Sequence, residues 1–235
     1  MKPILYGEDE VSFASNGIGI LSDITFCNVT EERNGSYEIE FRYPVSGPLF
    51  EYIQEGGFVK AKTNETSELQ IFRIYKSTKP LNGIVTYYGE HISYELTGNP
   101  IEKVIVANET ALSALNKILD AALVPHSYKA LSDIETLGTT TLTLISTRAA
   151  LGGVEGSLLD VYGGEFEFDN FTIKLHENRG RDTGIIIGYG KNLTDLTQEK
   201  NISEAYTALF PYAKYTPEKE GEEEPEEVIV TLSDK

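Results

Sequence analysis

Residues 162–175 read Tyr-Gly-Gly-Glu-Phe-Glu-Phe-Asp-Asn-Phe-Thr-Ile-Lys-Leu, and this run constrains the fold more than any other part of the chain. Apolar and polar side chains alternate on both sides of Asp169-Asn170. A period of two puts every second residue on one face of a strand and does not fit a helix. The run predicts a tight hairpin with strands over 165–168 and 171–176, turning at Asp169-Asn170. Phe166 and Phe168 then share one face, and Glu165 and Glu167 the opposite, solvated one.

The same pattern recurs through the first hundred residues. Residues 18–30 alternate, with Cys27 in mid-strand, where the simplest expectation is a small buried apolar residue. Arg33-Asn34-Gly35 supplies a turn. From Ser36 to Tyr43 the alternation is cleaner, Tyr37, Ile39 and Phe41 facing a core and Glu38, Glu40 and Arg42 facing water. Asn82-Gly83 joins strands expected over 69–78 and 84–91, because both central residues of a type I′ turn need positive φ. Asn16-Gly17 closes a further hairpin or loop, and Gly56-Gly57 precedes a strand over 58–62. Five or so short strands joined by turn chemistry predict a small closed or half-closed barrel.

The pattern then changes. Leu112, Leu115, Leu119 and Ala122 recur at helical spacing behind Asn108 or Thr110 as candidate N-caps, and Pro125 stops the run. A second helix is expected over 148–162 behind Thr147, its apolar face being Leu151, Val154, Leu158 and Val161. Gly152, Gly153 and Gly156 each cost about 1 kcal/mol there, which points to close packing or a shorter helix. One strand is expected over 139–146. Beyond the 162–175 hairpin, strands are expected over 184–187, 193–199 and 205–215. Seven glutamates and one lysine crowd residues 218–227, before an apolar strand from Val228. Like charges at that density make 217–227 a mobile, solvated loop, and the short remainder reads as a cut through a longer protein. The fold class is α+β and rich in β, divided into a barrel-like domain over 1–98, a helix-containing mixed domain over 99–162 and a second β domain over 163–235.

No motif demands a reaction. His91, His126 and His176 show none of the short spacings of a metal site, and zinc-protease, paired-cysteine and nucleophile-elbow patterns are absent. A nucleophilic Cys27 would need an exposed, electropositive setting, which a mid-strand position does not provide. Gly188-Tyr189-Gly190-Lys191 lacks the further glycine spacing and following helix of a phosphate loop. Catalytic, cofactor-binding and metal-binding residues are therefore all expected to be none. The Asn-x-Ser/Thr triplets, Asn28-Val29-Thr30 among them, read as strand and turn residues. A net charge of −17 gives no basic footprint for nucleic acid or anionic lipid. No apolar run is long enough for a signal peptide or membrane span, so synthesis and folding in a cytoplasm are expected. A sugar-binding module would lean on tryptophan, and the chain has none.

The wording of 162–175, with Gly188–Thr194, Tyr206-Thr207 and Phe210-Pro211-Tyr212, resembles the tail proteins of phages and prophages of Gram-positive bacteria. That family is called prophage endopeptidase tail, the N-terminal structural region of the tail-associated lysin. Echoes extend to Phe72-Arg73-Ile74-Tyr75, to Glu90–Leu96 and to the helix after Thr110. The resemblance implies a baseplate-hub-like fold: small β-barrel domains with a helical or mixed insertion, three copies forming a ring that continues the tail tube. It implies a virion structural protein, bound to the distal tail and other baseplate proteins, through which DNA passes without specific binding. An acidic lumen would suit that passage. It also leaves a second reading, the N-terminal part of a peptidoglycan endopeptidase whose catalytic domain lies beyond Lys235.

Overall fold

A computed structural model describes residues 2–64, 67–80, 82–180, 182–193, 195–197, 211–215 and 228–231. The chain forms two compact units, 1–181 and 182–235. The first begins with β1 (Ile4–Tyr6), β2 (Gly19–Ile20), β3 (Phe26–Glu31), β4 (Tyr37–Pro44), β5 (Phe58–Lys62), β6 (Leu69–Ser77) and β7 (Ile84–His91). These make one antiparallel sheet, in the order β2-β1-β5-β6-β7-β4-β3, curled into a half barrel. Its concave face is the core expected from the alternation. Tyr37, Ile39, Phe41 and Tyr43 of β4 are all buried, and they meet Leu5, Val59, Phe72, Ile74 and Tyr87 from the other strands. Asn82 and Gly83 both adopt positive φ, 53° and 72°, as the type I′ turn requires.

Two expectations fail in this sheet. Residues 18–30 are not one strand, since β2 and β3 lie at opposite edges and the chain crosses between them through Leu21, which is fully buried. Cys27 is not a buried apolar residue. β3 is an edge strand with most of its side chains exposed, Cys27 among them. Desolvation still pushes its thiol pKa up, which makes it a poor nucleophile.

A second layer follows: β8 (Pro100–Thr110), α1 (Ala111–Asp120), β9 (Lys129–Ser132), β10 (Leu137–Ser146), α2 (Thr147–Leu151), α3 (Leu158–Tyr162), β11 (Glu165–Asp169) and β12 (Thr172–His176). Of the two candidate caps, Thr110 starts α1, its hydroxyl accepting from Ser113 N. The buried face is Ala111, Ala114, Leu115, Ile118 and Leu119, so Leu112 and Ala122 sit only at its margin. The helix expected over 148–162 is two short helices. Gly153 and Gly156 take φ of 102° and 76°, a left-handed break that continuous helix excludes, and Val154 between them is exposed. β11 and β12 pair from Glu165↔His176 to Asp169↔Thr172, which makes Asn170-Phe171 the connecting pair, one residue later than expected. β12 also pairs in parallel with β9. This hairpin shares one core with α1 and β8, through Phe166, Ile173, Leu175, Leu115 and Val106.

Gly164 enters β11 at φ 88°, where a Cβ would collide with the His176 carbonyl and lie 2.8 Å from Ile134 Cδ1. Gly164→Ala is expected to cost about 2–3 kcal/mol of stability, read as a lower urea midpoint at unchanged slope.

In the unit over 182–235, β13 (Tyr212–Tyr215) pairs antiparallel with β14 (Val228–Thr231). Residues 184–187 form no strand; Ile185, Ile186 and Ile187 stay exposed and make no ladder. Of the strand expected over 193–199, Leu193 makes only an isolated bridge to Tyr189, and 195–197 are not in a strand. Of the strand expected over 205–215, the described residues 211–215 hold a strand at 212–215. Residues 205–210 and the acidic run 217–227 lie outside the described residues.

Candidate functional site

The densest polar chemistry of the first unit lies where the half barrel meets the second layer. His91 ends β7 and is fully buried. Ser93 N donates to its Nδ1, so the ring proton sits on Nε2, which donates to Gln70 Oε1 at 3.2 Å. The Ser93 hydroxyl is 3.0 Å from Nδ1 and itself accepts from Arg148 Nη1 at 2.8 Å. Gln70 Nε2 donates in turn to Asp169 Oδ1 at 2.9 Å. The result is a directed chain of hydrogen bonds, Arg148 to Ser93 to His91 to Gln70 to Asp169, running from a cation to an anion.

Aromatic rings enclose this chain. Tyr37 stacks on His91 with centroids 4.5 Å apart, and the Arg148 guanidinium lies 4.4 Å from the Tyr94 ring centre and 4.2 Å from that of Phe168. Burial, with the Arg148 charge nearby, drives the His91 pKa down to about 3 and holds the ring neutral. Hydrogen bonds from Gln70 and Lys174 keep the Asp169 carboxyl below its ordinary range.

Beside the chain, the hairpin turn clasps β6. Asn170 N donates to Gln70 Oε1, Ile71 N donates to Asn170 Oδ1 at 2.9 Å, and Asn170 Nδ2 donates to the Leu69 carbonyl at 3.0 Å. Asn34 makes a similar two-way clasp on β11, donating to the Gly164 carbonyl and accepting from Phe166 N. Arg33 and Arg179 add ion pairs to Glu165 and Glu31. The solvated reading of Glu165 and Glu167 therefore falls short: Glu165 is largely covered, and Glu167 pairs with Lys174 and meets His176.

A serine beside a histidine backed through an amide by a carboxylate has the outline of a nucleophilic triad. Here Ser93 is fully buried, its oxygen is taken by Arg148, and burial lowers the basicity of the His91 ring, so the trio presents no accessible, activated nucleophile. The arrangement joins layers. His126 is a loop residue with both ring nitrogens engaged, by the Leu119 carbonyl and Tyr128 N. His176 lies between Asp133 and Glu167. Among the described residues no three His, Cys, Asp or Glu side chains group so as to hold a metal. At 188–193 the amides of Lys191, Asn192 and Leu193 point to the Gly188 carbonyl, so they are spent within the turn rather than offered to a phosphate. No helix among the described residues is long and apolar enough to cross a membrane.

Against solved structures, 98% of this chain superposes on 67% of the prophage tail protein gp18 of Listeria monocytogenes EGD-e, with a TM-score of 0.62 and 16% identity. The chain has the fold of a prophage tail protein. It spans about two thirds of that protein's length. A tail protein of Neisseria meningitidis MC58 aligns over 60% of this chain and 41% of its own, at a TM-score of 0.40 and 11% identity, too low to add to the comparison. No family model matches, and no curated protein does.

The residues of the seam answer to the quoted resemblance. Glu90–Leu96 carries His91, Ser93 and Tyr94, and 162–175 carries Phe168, Asp169 and Asn170. Gln70 and Arg148 fall in an expected strand and an expected helix, but nothing in their local spacing marks them for this seam.

Proposed function

We propose that the chain is a structural subunit of a phage tail, a hub or tail-tip protein that continues the tail tube and anchors host-recognition or cell-wall-degrading parts. The observation that carries this reading is the superposition of nearly the whole chain on a prophage tail protein. The seam supports it: the most elaborate polar network of the first unit is spent on joining two layers, as suits a part that bears load. On this reading the protein is made in the host cytoplasm and resides in the virion tail. Three copies form a ring that contacts the distal tail and other baseplate proteins. Its acidity keeps passing DNA from adhering, because like charge removes the counterion-release gain of phosphate binding.

A second reading, the N-terminal part of a tail-associated endopeptidase, draws on the greater length of the aligned Listeria protein. The two differ in what this chain does alone. On zymograms of Gram-positive cell walls the purified chain is expected to clear nothing. Clearing that vanishes on Ser93→Ala, His91→Gln or Cys27→Ser would contradict the structural reading.

A further inference from the structure

A hollow of about 570 Å³ opens beside the loop that joins β1 to β2, and the segment after α1 forms its far wall. Its floor is apolar and aromatic: Phe13 meets Phe58 edge-on at 5.1 Å and Phe171 at 6.2 Å, with Ile92 beside them. One lip is acidic. Glu8 and Asp9 are exposed on it, and Glu95 stands opposite. Among the described lining residues Arg73 is the one Lys or Arg, and it is already paired with Glu95 at 3.0 Å and with Glu8 at 3.9 Å. The His126 ring is taken up locally, by the Leu119 carbonyl and Tyr128 N.

The lip is held in place. Phe13 takes φ 50°, a left-handed conformation that costs a bulky residue on the order of 1–2 kcal/mol. Lys60 Nζ and Tyr6 Oη donate to its carbonyl at 2.9 and 3.3 Å, and so hold the ring in the floor. The Glu10 carboxylate accepts from Val11 N and Ser12 N at 3.2 and 3.1 Å. Val11 is left 85% exposed at the edge of the hollow, an apolar side chain turned to water on an ordered loop. A groove of this kind binds without first having to order itself.

We propose that this hollow docks a peptide segment of a partner protein that carries an apolar side chain next to lysine or arginine. The apolar residue seats against Val11 and the half-buried Phe171, over the closed Phe13–Phe58 pair, and the cation faces Glu8 and Asp9. Charge complementarity selects that occupant. A second copy of this chain, at −17, approaches an acidic lip with like charge. The inference does not depend on the place of the chain in a tail.

The test uses the full chain and three labelled probes: a set of eight-residue peptides pairing Leu or Phe with Lys or Arg, the same peptides with Glu for the cations, and the same with Ser for the apolar residues. Anisotropy should show binding of the first set alone. Glu8→Gln with Asp9→Asn should weaken it about tenfold, which is about 1.4 kcal/mol. A control pair of exposed carboxylates outside the hollow, Glu135→Gln with Glu155→Gln, should leave it unchanged. Hydrogen exchange should slow at residues 8–13 and 125–128 on binding. The proposal is overturned if no peptide of the first set binds below about 1 mM, if the Glu or Ser peptides bind as well, if both double variants weaken binding alike, or if protection falls elsewhere.

Discussion

His91→Ala is expected to lower folding stability by about 3–5 kcal/mol, because it opens a cavity beneath Tyr37 and strips partners from buried polar groups at once. The ring fills the space between Tyr37 and Phe72 and links Ser93 to Gln70. His91→Gln keeps much of the volume and some of the hydrogen bonding, and should cost less. The same residue makes stability fall in mild acid. Its folded pKa is held at about 3, below the ordinary 6.5. Between those values the unfolded chain takes up a proton that the folded chain refuses, so the contribution is whole above pH 6.5 and drains as pH falls toward 3. The loss is roughly 1.4 kcal/mol per unit, about 2 kcal/mol between pH 6.5 and 5. Glu90 acts in the opposite sense: burial and Glu38 raise its carboxyl, so it favours the folded state as acid protonates it. Asp169 and Glu167, held low, lose their contribution only below the ordinary carboxylate range. Urea titrations of the parent and of His91→Gln at pH 6.5 and 5 isolate the histidine, since terms common to both cancel. The loss of stability from pH 6.5 to 5 should be about 2 kcal/mol larger for the parent than for His91→Gln. Equal slopes would mean that the ring is not sealed.

Asn170→Ala should cost about 2–4 kcal/mol, although the residue is only partly buried. The substitution leaves Ile71 N and the Leu69 carbonyl without the side chain that bridges them, and it forces Ala to φ 50°. Asn170→Gly removes the strain and not the lost bonds, and should recover about 1 kcal/mol of that cost. Chemical denaturation of the three proteins reads both quantities. Equal losses for Ala and Gly would place the whole cost in the hydrogen bonds.

The half barrel was legible in sequence because its information is local. Tyr37, Ile39 and Phe41 alternate cleanly, and Asn82-Gly83 dictates its own turn. The hairpin over 165–176 was legible for the same reason, to within one residue at Asn170-Phe171. What escaped depends on distant partners. β8 buries Ile101, Val104 and Val106, a spacing of three and then two, and Asn108 at φ 56° interrupts it, so no clean period shows. β9 is a strand through its parallel pairing with β12, some forty residues on. Cys27 has the alternation of a core strand, yet lies at a sheet edge, and edge position is a property of the whole sheet. The seam itself draws on β6, β7, α2 and the 170 turn. Its sequence trace is the resemblance to tail proteins at Glu90–Leu96 and over 146–212, which marks scaffold and carries no chemistry.

The most direct test of the tail-hub reading is a cryo-EM reconstruction of the intact tail of the phage or induced prophage that encodes this chain. Density is expected for three copies in a closed ring on the tail axis, continuous with the tube, with the first unit fitting as described. Absence of the chain from the virion, or a single asymmetric copy or six-fold placement, would contradict it.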